Sequence, residues 1–525
     1  MTATADPDTM AAPSTVPVRW WPLALVSVGS MLLAVAGVLP RWPGLAHLVA
    51  LPPLDLFADV RVLVASAPSP LLFVVGLVLA VGVRAAVLAA MLGSFRARVG
   101  FTLRFYLAAL VPAFLAAGLD FSGRSMLYGY LVWAGLIITV VTLVVLAPVP
   151  WTGAERVRRG LGIAFHQRLR GGVVFVYLVA LMVLGLLVRE PGRTVQVVLV
   201  PPSALLTVLA IGRLARRPTR HVSSWVAVGV TLGVIVALVA AVLIVPGGGA
   251  PSTTPRAAGS LFLVAGADTA SGDGALYHLD PTTLGYSCAQ TFYFSYTGTG
   301  HGAGRRDAVC PIRHGAPYTK ADTERPLGQL RATFLAQLAT VPRPVVVLTH
   351  SQGAWIAWAG LSTRDPRASG VDALVMLAPF DAALAPYPPS GQDGRGFVGG
   401  QAVRLMTHLG KTTGFSTFSA DAPLVRELLA TPGAVERLFD QRLDGRVRAL
   451  ALVSRFDLPL VPSGWPSGVA EACPGWVSHG SQPKSPTVLT VASRFLDGAN
   501  PGTCPSWVRQ LAHVTEAFGA PPSGS

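Results

Sequence analysis

"RPVVVLTHSQGAWIAW" (residues 343–358) joins a β-branched apolar run to a helical pattern through the tetrapeptide HSQG at residues 350–353. The first run is apolar on both faces, which is typical of a strand buried in a parallel sheet. A serine at the apex of such a strand-to-helix turn needs small neighbours two positions away, because the turn is tight and strained. Gly353 meets this requirement on the helix side of Ser351. Thr349 occupies the other position, where glycine is more usual.

The sequence around this turn predicts one α/β domain over residues 259–520. Short apolar runs alternate there with helical stretches, which is typical of a mostly parallel sheet with helices on both faces. A long insertion over residues 380–447 is expected to form a cap over the site. We predict helices at residues 326–339 and 353–361, and strands at residues 260–266, 289–296, 344–350, 372–378, 448–454 and 486–492.

The residues before this domain have the composition of a membrane protein. The chain has 525 residues, of which 52% are hydrophobic and 13% charged, and runs of about 20 mainly apolar residues predict membrane-spanning helices. We expect a cytoplasmic tail over residues 1–19, a transmembrane domain over residues 20–246 and a Gly- and Pro-rich linker over residues 247–258. The seven predicted spans are residues 22–39, 71–92, 105–119, 126–147, 173–188, 195–212 and 225–245.

The net charge of +15 belongs mainly to the membrane half. Residues 1–250 contain 19 arginines, no lysine and seven acidic residues, whereas residues 251–525 contain 22 basic and 19 acidic residues. Most of these arginines fall in segments that the positive-inside rule places in the cytoplasm, so the N-terminus is expected inside and the α/β domain outside. Because topology explains the charge, we expect no nucleic-acid partner. The arginine- and alanine-rich, lysine-poor composition suggests a GC-rich bacterial genome. The expected location is therefore a bacterial cell membrane.

All four cysteines lie in the half that is expected to be extracytoplasmic. An even number of cysteines in an oxidising compartment indicates two disulfides. The pairing local in sequence joins Cys288 to Cys310 and Cys473 to Cys504, although three connectivities are possible. A zinc site is disfavoured because no C-x-x-C spacing is present. We expect neither a metal nor an organic cofactor.

The stretch "LTHSQGAW" and the strand order around it resemble the α/β-hydrolase superfamily, and within it the lipase- and esterase-like members. The resemblance covers about residues 259–520, and Thr349 departs from it at the position of the first turn glycine. It implies that Ser351 is a nucleophile in a triad with the chain order serine, acid, histidine. It also implies that the N–H groups of Gln352 and Ala267 hold the oxyanion, the latter from the loop after the first strand.

A serine nucleophile needs a base, and the base needs an acid that orients it. The acid is expected after a late strand, where Asp457 stands in "SRFDLPLVP". Asp381, after the preceding strand, is the alternative acid. The base is expected after the last predicted strand, which His513 follows. His479, in a loop before that strand, is the alternative base.

These features predict a membrane-anchored extracytoplasmic serine hydrolase that cleaves carboxylic esters through an acyl-enzyme. The expected substrate is a lipid or another acyl ester of the cell envelope. Two alternatives use the same scaffold. One is a catalytically inactive hydrolase-like binding domain on a membrane scaffold or transporter, and the other is an acyltransferase that uses the same residues.

Overall fold

The structure, a computed structural model, has an N-terminal region of apolar helices and a C-terminal α/β domain. The predicted tail over residues 1–19 and the linker over residues 247–258 lie almost entirely outside the described residues. Those residues are 18–36, 49–166, 170–186, 193–216, 255–256, 258–304, 307–414, 418–461 and 465–510.

Within the described ranges, four N-terminal helices are long and apolar enough to cross a membrane. These four segments are Pro70–Met91, Phe95–Ser125, Gly129–Thr152 and Val197–Ala215. The predicted span at residues 225–245 lies outside the described residues, so the number seven stays a prediction. The N-terminal helices are α1 (Trp21–Val35), α2 (Leu54–Ser66), α3 (Pro70–Met91), α4 (Phe95–Ser125), α5 (Gly129–Leu146), α6 (Val157–His166), α7 (Arg170–Leu186) and α8 (Arg193–Ala215).

Small residues let α4 and α5 pack closely as an antiparallel hairpin. A Cβ placed on Gly135 of α5 would lie 2.8 Å from the Ala116 carbonyl oxygen of α4, so a larger residue would separate the helices. Close backbone approach of this kind is how helices associate where no hydrophobic effect drives them together. The outer faces instead carry large exposed apolar side chains such as Val78 and Val111, which suit contact with lipid.

Among the described residues, the α/β domain has a sheet of six strands, all parallel, which confirms the expected mostly parallel sheet. Every residue of the strand Val345–His350 (β5) is buried. With the strands numbered in chain order, their order across the sheet is β2-β1-β5-β6-β7-β8. Two further strands, β3 and β4, form a separate antiparallel pair. The strands are β1 (Ser260–Val264), β2 (Thr291–Tyr293), β3 (His301–Gly304), β4 (Ile312–His314), β5 (Val345–His350), β6 (Val371–Leu377), β7 (Arg448–Leu452) and β8 (Val469–Ala472).

The strand predicted at residues 486–492 is wrong, because these residues begin a helix. The Ser485 side chain accepts a hydrogen bond from the Val488 N–H, and Pro486 occupies the first turn, where its missing N–H costs nothing. The sheet ends instead at β8, whose sequence VAEA lacks the long apolar run that predicts a buried strand. The other five predicted strands are confirmed, four with shorter bounds and the one predicted at residues 372–378 shifted by one residue.

The remaining helices include both of those predicted from the sequence, at residues 326–339 and 353–361. The insertion between β6 and β7 contains α11 (Phe397–Thr412), a π-helical turn (Val425–Leu429) and α12 (Ala434–Phe439), and α11 packs against the apolar helix α4. A Cβ on Gly399 of α11 would collide with the Phe121 ring of α4. The helices are α9 (Leu327–Leu338), α10 (Gly353–Leu361), α11 (Phe397–Thr412), α12 (Ala434–Phe439), α13 (Pro486–Leu496) and α14 (Ser506–Gln510).

Two disulfides join the cysteines in the pairing that is local in sequence. Cys288 is bonded to Cys310, with 5.2 Å between their Cα atoms. Cys473 is bonded to Cys504, with 4.8 Å between their Cα atoms. The second disulfide ties the chain just after β8 to the loop before α14.

Candidate active site

Ser351 lies on a strained turn between β5 and α10. Its φ of +55° is in the left-handed region, which L-residues other than glycine rarely adopt. The Ser351 N–H donates to the Leu377 carbonyl at 2.9 Å, so the turn is tied to the end of the neighbouring strand β6. Strain of this kind persists only where the surrounding structure enforces it, and it is concentrated at functional sites.

The end of β1 passes directly beside this turn. A Cβ on Gly353 would collide with the Val264 carbonyl oxygen, and one on Gly266 would lie 2.9 Å from the Ser351 Cβ. Glycine is therefore required at both positions. The Thr349 side chain is fully buried. The close approach thus depends on Gly266 and Gly353, and a threonine is accommodated where a glycine is more usual.

Asp457 and His479 form a hydrogen-bonded pair at the carboxyl ends of β7 and β8. The distance from His479 Nδ1 to Asp457 Oδ2 is 3.1 Å. Asp457 is buried in a turn after β7, where its N–H donates to the Ser454 carbonyl. His479 begins the 3-10 helix (His479–Lys484) that follows β8, and 29% of its side chain is exposed. Asp457 is thus paired with the alternative base.

His350 connects the serine turn to the loop that carries His479. Its Nε2–H donates to the His479 carbonyl oxygen at 3.0 Å, and the centroids of the two rings are 4.9 Å apart. Burial, together with the neighbouring His479, lowers the pKa of His350 to about 3, so its imidazole is neutral at ordinary pH. The Phe380 ring stacks on the His479 ring, at 5.2 Å between centroids. The His479 ring is therefore in contact with two other rings.

The two residues expected to hold an oxyanion lie in segments next to Ser351. The Gln352 side chain donates to the Thr323 carbonyl at 2.7 Å, which fixes the residue that follows the serine. Ala267 belongs to the loop after β1, which passes beside Ser351 at Gly266.

The hydrogen bond between Asp457 and His479 involves neither of the other two predicted site residues, Asp381 and His513. Asp381 is buried beyond the end of β6, but His479 bonds to Asp457 and not to it. His513 falls within residues 511–525, outside the described part of the chain. Its selection depended on a strand at residues 486–492, where the structure has a helix. His479 follows β8, the last strand among the described residues, and its place between Asp457 and Cys504 was the available sequence signal.

Among the described residues, one group has the spacing of metal ligands. It consists of Glu471, Cys473 and Cys504, whose ligand atoms lie within 4.8 Å of one another. The two cysteines form a disulfide, so neither offers the thiolate that a metal ion such as zinc needs. Glu471 is also paired with Arg509. The disulfide and the ion pair therefore account for the proximity of these three residues near β8.

Comparisons of the chain with protein-family models, with curated proteins and with solved structures give no match.

Proposed function

We propose that this protein is a membrane-anchored serine hydrolase of the α/β-hydrolase type that cleaves carboxylic esters. In this proposal Ser351 is the nucleophile, His479 the general base and Asp457 the acid that orients the base. The observation that carries the proposal is the Asp457–His479 hydrogen bond, located at the same sheet edge as the strained Ser351 turn. The carboxyl ends of parallel strands meet at one edge, where sites of open α/β sheets are found.

The chemistry follows from these roles. The Ser351 hydroxyl oxygen attacks the ester carbonyl carbon while His479 accepts the hydroxyl proton. The N–H groups of Gln352 and Ala267 stabilise the negative charge that develops on the carbonyl oxygen. The imidazolium then donates its proton to the departing alcohol, which leaves an acyl-serine. Water attacks this ester with His479 again as base, which releases the carboxylic acid and restores Ser351.

The strand order supports His479 as the base. In the α/β-hydrolase fold the catalytic histidine follows the last strand of the sheet, and β8 is the last strand of the sheet among the described residues. His479 comes seven positions after the end of β8 at Ala472 and bonds to the expected acid. A neutral His350 beside it does not repel the imidazolium that forms during catalysis.

We also propose that the α/β domain lies outside a bacterial cytoplasmic membrane and acts on a lipid or another ester of the cell envelope. Two disulfides support an oxidising compartment. The Gly394 N–H donates to the Pro68 carbonyl, and the Ser125 hydroxyl donates to the Ala385 carbonyl. The α2–α3 and α4–α5 turns therefore contact the α/β domain at one end of the helices, which agrees with the orientation from the positive-inside rule.

The test is labelling of the full chain in detergent or nanodiscs with a fluorophosphonate, which reacts with activated serines. We expect labelling of the native chain and loss of labelling in Ser351→Ala. Ser362→Ala, at the end of α10, is the matched control and should label normally. An ester panel of increasing acyl length then defines the substrate. No labelling, or equal labelling of Ser351→Ala, would overturn the proposal and favour a binding domain.

A further inference from the structure

The carboxylate proposed to orient the base lies against a membrane helix. Gly129 is the first residue of α5, and a Cβ placed on it would lie 2.9 Å from Asp457 Oδ1 and 2.9 Å from the Phe456 carbonyl oxygen. The other carboxylate oxygen, Oδ2, bonds to His479. One carboxylate oxygen of Asp457 therefore bonds to the imidazole, and the other lies beside the first residue of α5.

Two further contacts hold the same short loop on either side of Asp457. The Trp133 indole N–H donates to the Phe456 carbonyl at 3.0 Å. The Arg124 guanidinium donates to the Pro459 carbonyl at 3.3 Å. Trp133 lies one turn after Gly129 on α5, and Arg124 lies at the end of α4. Residues 456–459 are thus held by both helices of the α4–α5 hairpin.

Contacts within the α4–α5 hairpin fix the position of Arg124 and the spacing of the two helices. The buried Arg124 guanidinium pairs with Asp120 one turn earlier, at 3.3 Å, which fixes it in place before it reaches the loop. The Tyr128 N–H donates to the Gly123 carbonyl at 2.7 Å across the connection between the helices. Close packing at Gly135 sets the spacing of α4 and α5.

The loop's own hydrogen bonds fix its backbone but leave the carboxylate direction to its neighbours. The Asp457 N–H donates to the Ser454 carbonyl, and the Asp457 carbonyl accepts from the Leu460 N–H at 2.8 Å. Neither bond involves the side chain. The carboxylate itself has Gly129 beside Oδ1 and His479 bonded to Oδ2.

We infer that the α4–α5 hairpin holds the triad acid, with Gly129 and Trp133 as positioning residues that act through Asp457. This inference rests on the proposed function. It gives the membrane domain a role in turnover besides anchoring, because the orientation of the acid depends on a helix of that domain. A catalytic group must be held within a fraction of an ångström to work at its full rate.

The first test compares two glycine substitutions in the full chain in nanodiscs. Gly129→Ala places a methyl group against the Asp457 carboxylate, whereas Gly82→Ala in α3 has no atom within 4 Å of the new methyl group. With a water-soluble ester we expect Gly129→Ala to lower kcat about tenfold or more and to leave KM within about twofold. Gly82→Ala should match the native chain.

The second test removes one hydrogen bond with little change of shape. Trp133→Phe loses the indole N–H that donates to Phe456, and we expect kcat to fall about three- to tenfold. Trp151→Phe is the matched control. Trp151 is buried beyond the other end of α5, and its indole N–H has no hydrogen-bond partner among the described residues.

A double-mutant cycle distinguishes positioning from general damage. In the Asp457→Asn background, Gly129→Ala should lower kcat by less than about twofold, since the group through which it acts is already replaced. An equal loss of kcat in both backgrounds, or native kcat in both Gly129→Ala and Trp133→Phe, would overturn the inference. If Gly129→Ala fails to fold by size-exclusion chromatography, Trp133→Phe decides alone.

The same experiments separate this inference from the proposed function. If Ser351→Ala abolishes labelling while the α5 variants keep native kcat, only the role of the hairpin is wrong. If Ser351→Ala keeps its labelling, the hydrolase proposal itself is wrong.

Discussion

His479 and Asp457 are 22 positions apart in the chain, and their side chains meet at 3.1 Å between Nδ1 and Oδ2. They meet because β7 and β8 are neighbours in the sheet, so the turns after these strands leave the same edge side by side. Cys473, the residue after β8, is fixed by its disulfide to Cys504, which limits the paths open to the loop that leads to His479. The pairing of β7 with β8 therefore brings Asp457 and His479 together at this edge of the sheet.

The base can be identified by comparing two histidine variants. We expect His479→Ala to lower kcat for ester hydrolysis about 10⁴-fold or more, because loss of a triad base removes most of the activation of the serine. His513→Ala should keep kcat within about threefold. The measurement is steady-state hydrolysis of a soluble ester by the full chain. The opposite ranking would make His513 the base.

The acid can be tested in the same way. Asp457→Asn keeps the shape of the side chain but removes the charge that stabilises the imidazolium, and we expect kcat to fall about 10³- to 10⁴-fold. Asp381→Asn should have a much smaller effect, because His479 bonds to Asp457. Equal losses in the two variants, with native KM and normal folding, would contradict the assignment.

The turn around Ser351 should tolerate no side chain at Gly353. A methyl group there would collide with the Val264 carbonyl oxygen, so we expect Gly353→Ala to lose about 1–3 kcal/mol of stability together with its activity. Gly328→Ala in α9, where the new methyl group meets no atom within 4 Å, is the control. Thermal unfolding in detergent measures both variants. An unchanged unfolding temperature for Gly353→Ala would show that the turn can relax.

His350 should make the α/β domain sensitive to acid. Burial lowers its pKa in the folded state to about 3, whereas the unfolded chain binds the proton near the ordinary value of 6.5. Its contribution to stability is therefore complete above pH 6.5 and is lost as the pH falls toward 3, by about 1.4 kcal/mol per pH unit. His350→Gln keeps a hydrogen-bond donor and should unfold with a shallower dependence on pH between 6 and 4. If the stability of His350→Gln and that of the native chain depend on pH in the same way between pH 6 and 4, this account is contradicted.

The disulfide beside β8 should contribute to stability. It joins residues 31 positions apart, and the chain-entropy argument gives about 3–4 kcal/mol for a loop of this length. We expect the double variant Cys473→Ser with Cys504→Ser to unfold at a lower temperature and to lose activity as the His479 loop loosens. Cys288→Ser with Cys310→Ser, which opens a loop of 22 positions, should lower stability similarly but spare kcat. Equal kcat losses in both double variants would argue against a local effect at His479.

Features governed by local sequence were predictable. The turn at residues 350–353, helix α10 and five of the strands follow from apolar periodicity and from glycine, which are local properties. The two disulfides join cysteines near one another in the chain. Asp457 was the candidate acid because it follows an apolar run, and that run forms β7.

The end of the α/β domain was not predictable in the same way. "PTVLTVA" at residues 486–492 has the β-branched composition of a strand, but the Ser485 cap and a buried helical face make it α13. The edge strand β8 pairs with β7 along one side and has no apolar run of its own. This exchange of one strand for a helix changed the candidate base from His513 to His479.

The sequence alone determined that Ser351 stands on a tight turn between a buried strand and a helix, because backbone sterics and the need for Gly353 act over a few neighbouring residues. Only the tertiary structure decided which imidazole meets Asp457 and that α5 of the membrane region lies against the same carboxylate. Those contacts join residues far apart in the chain, and their energies depend on how whole strands and helices pack.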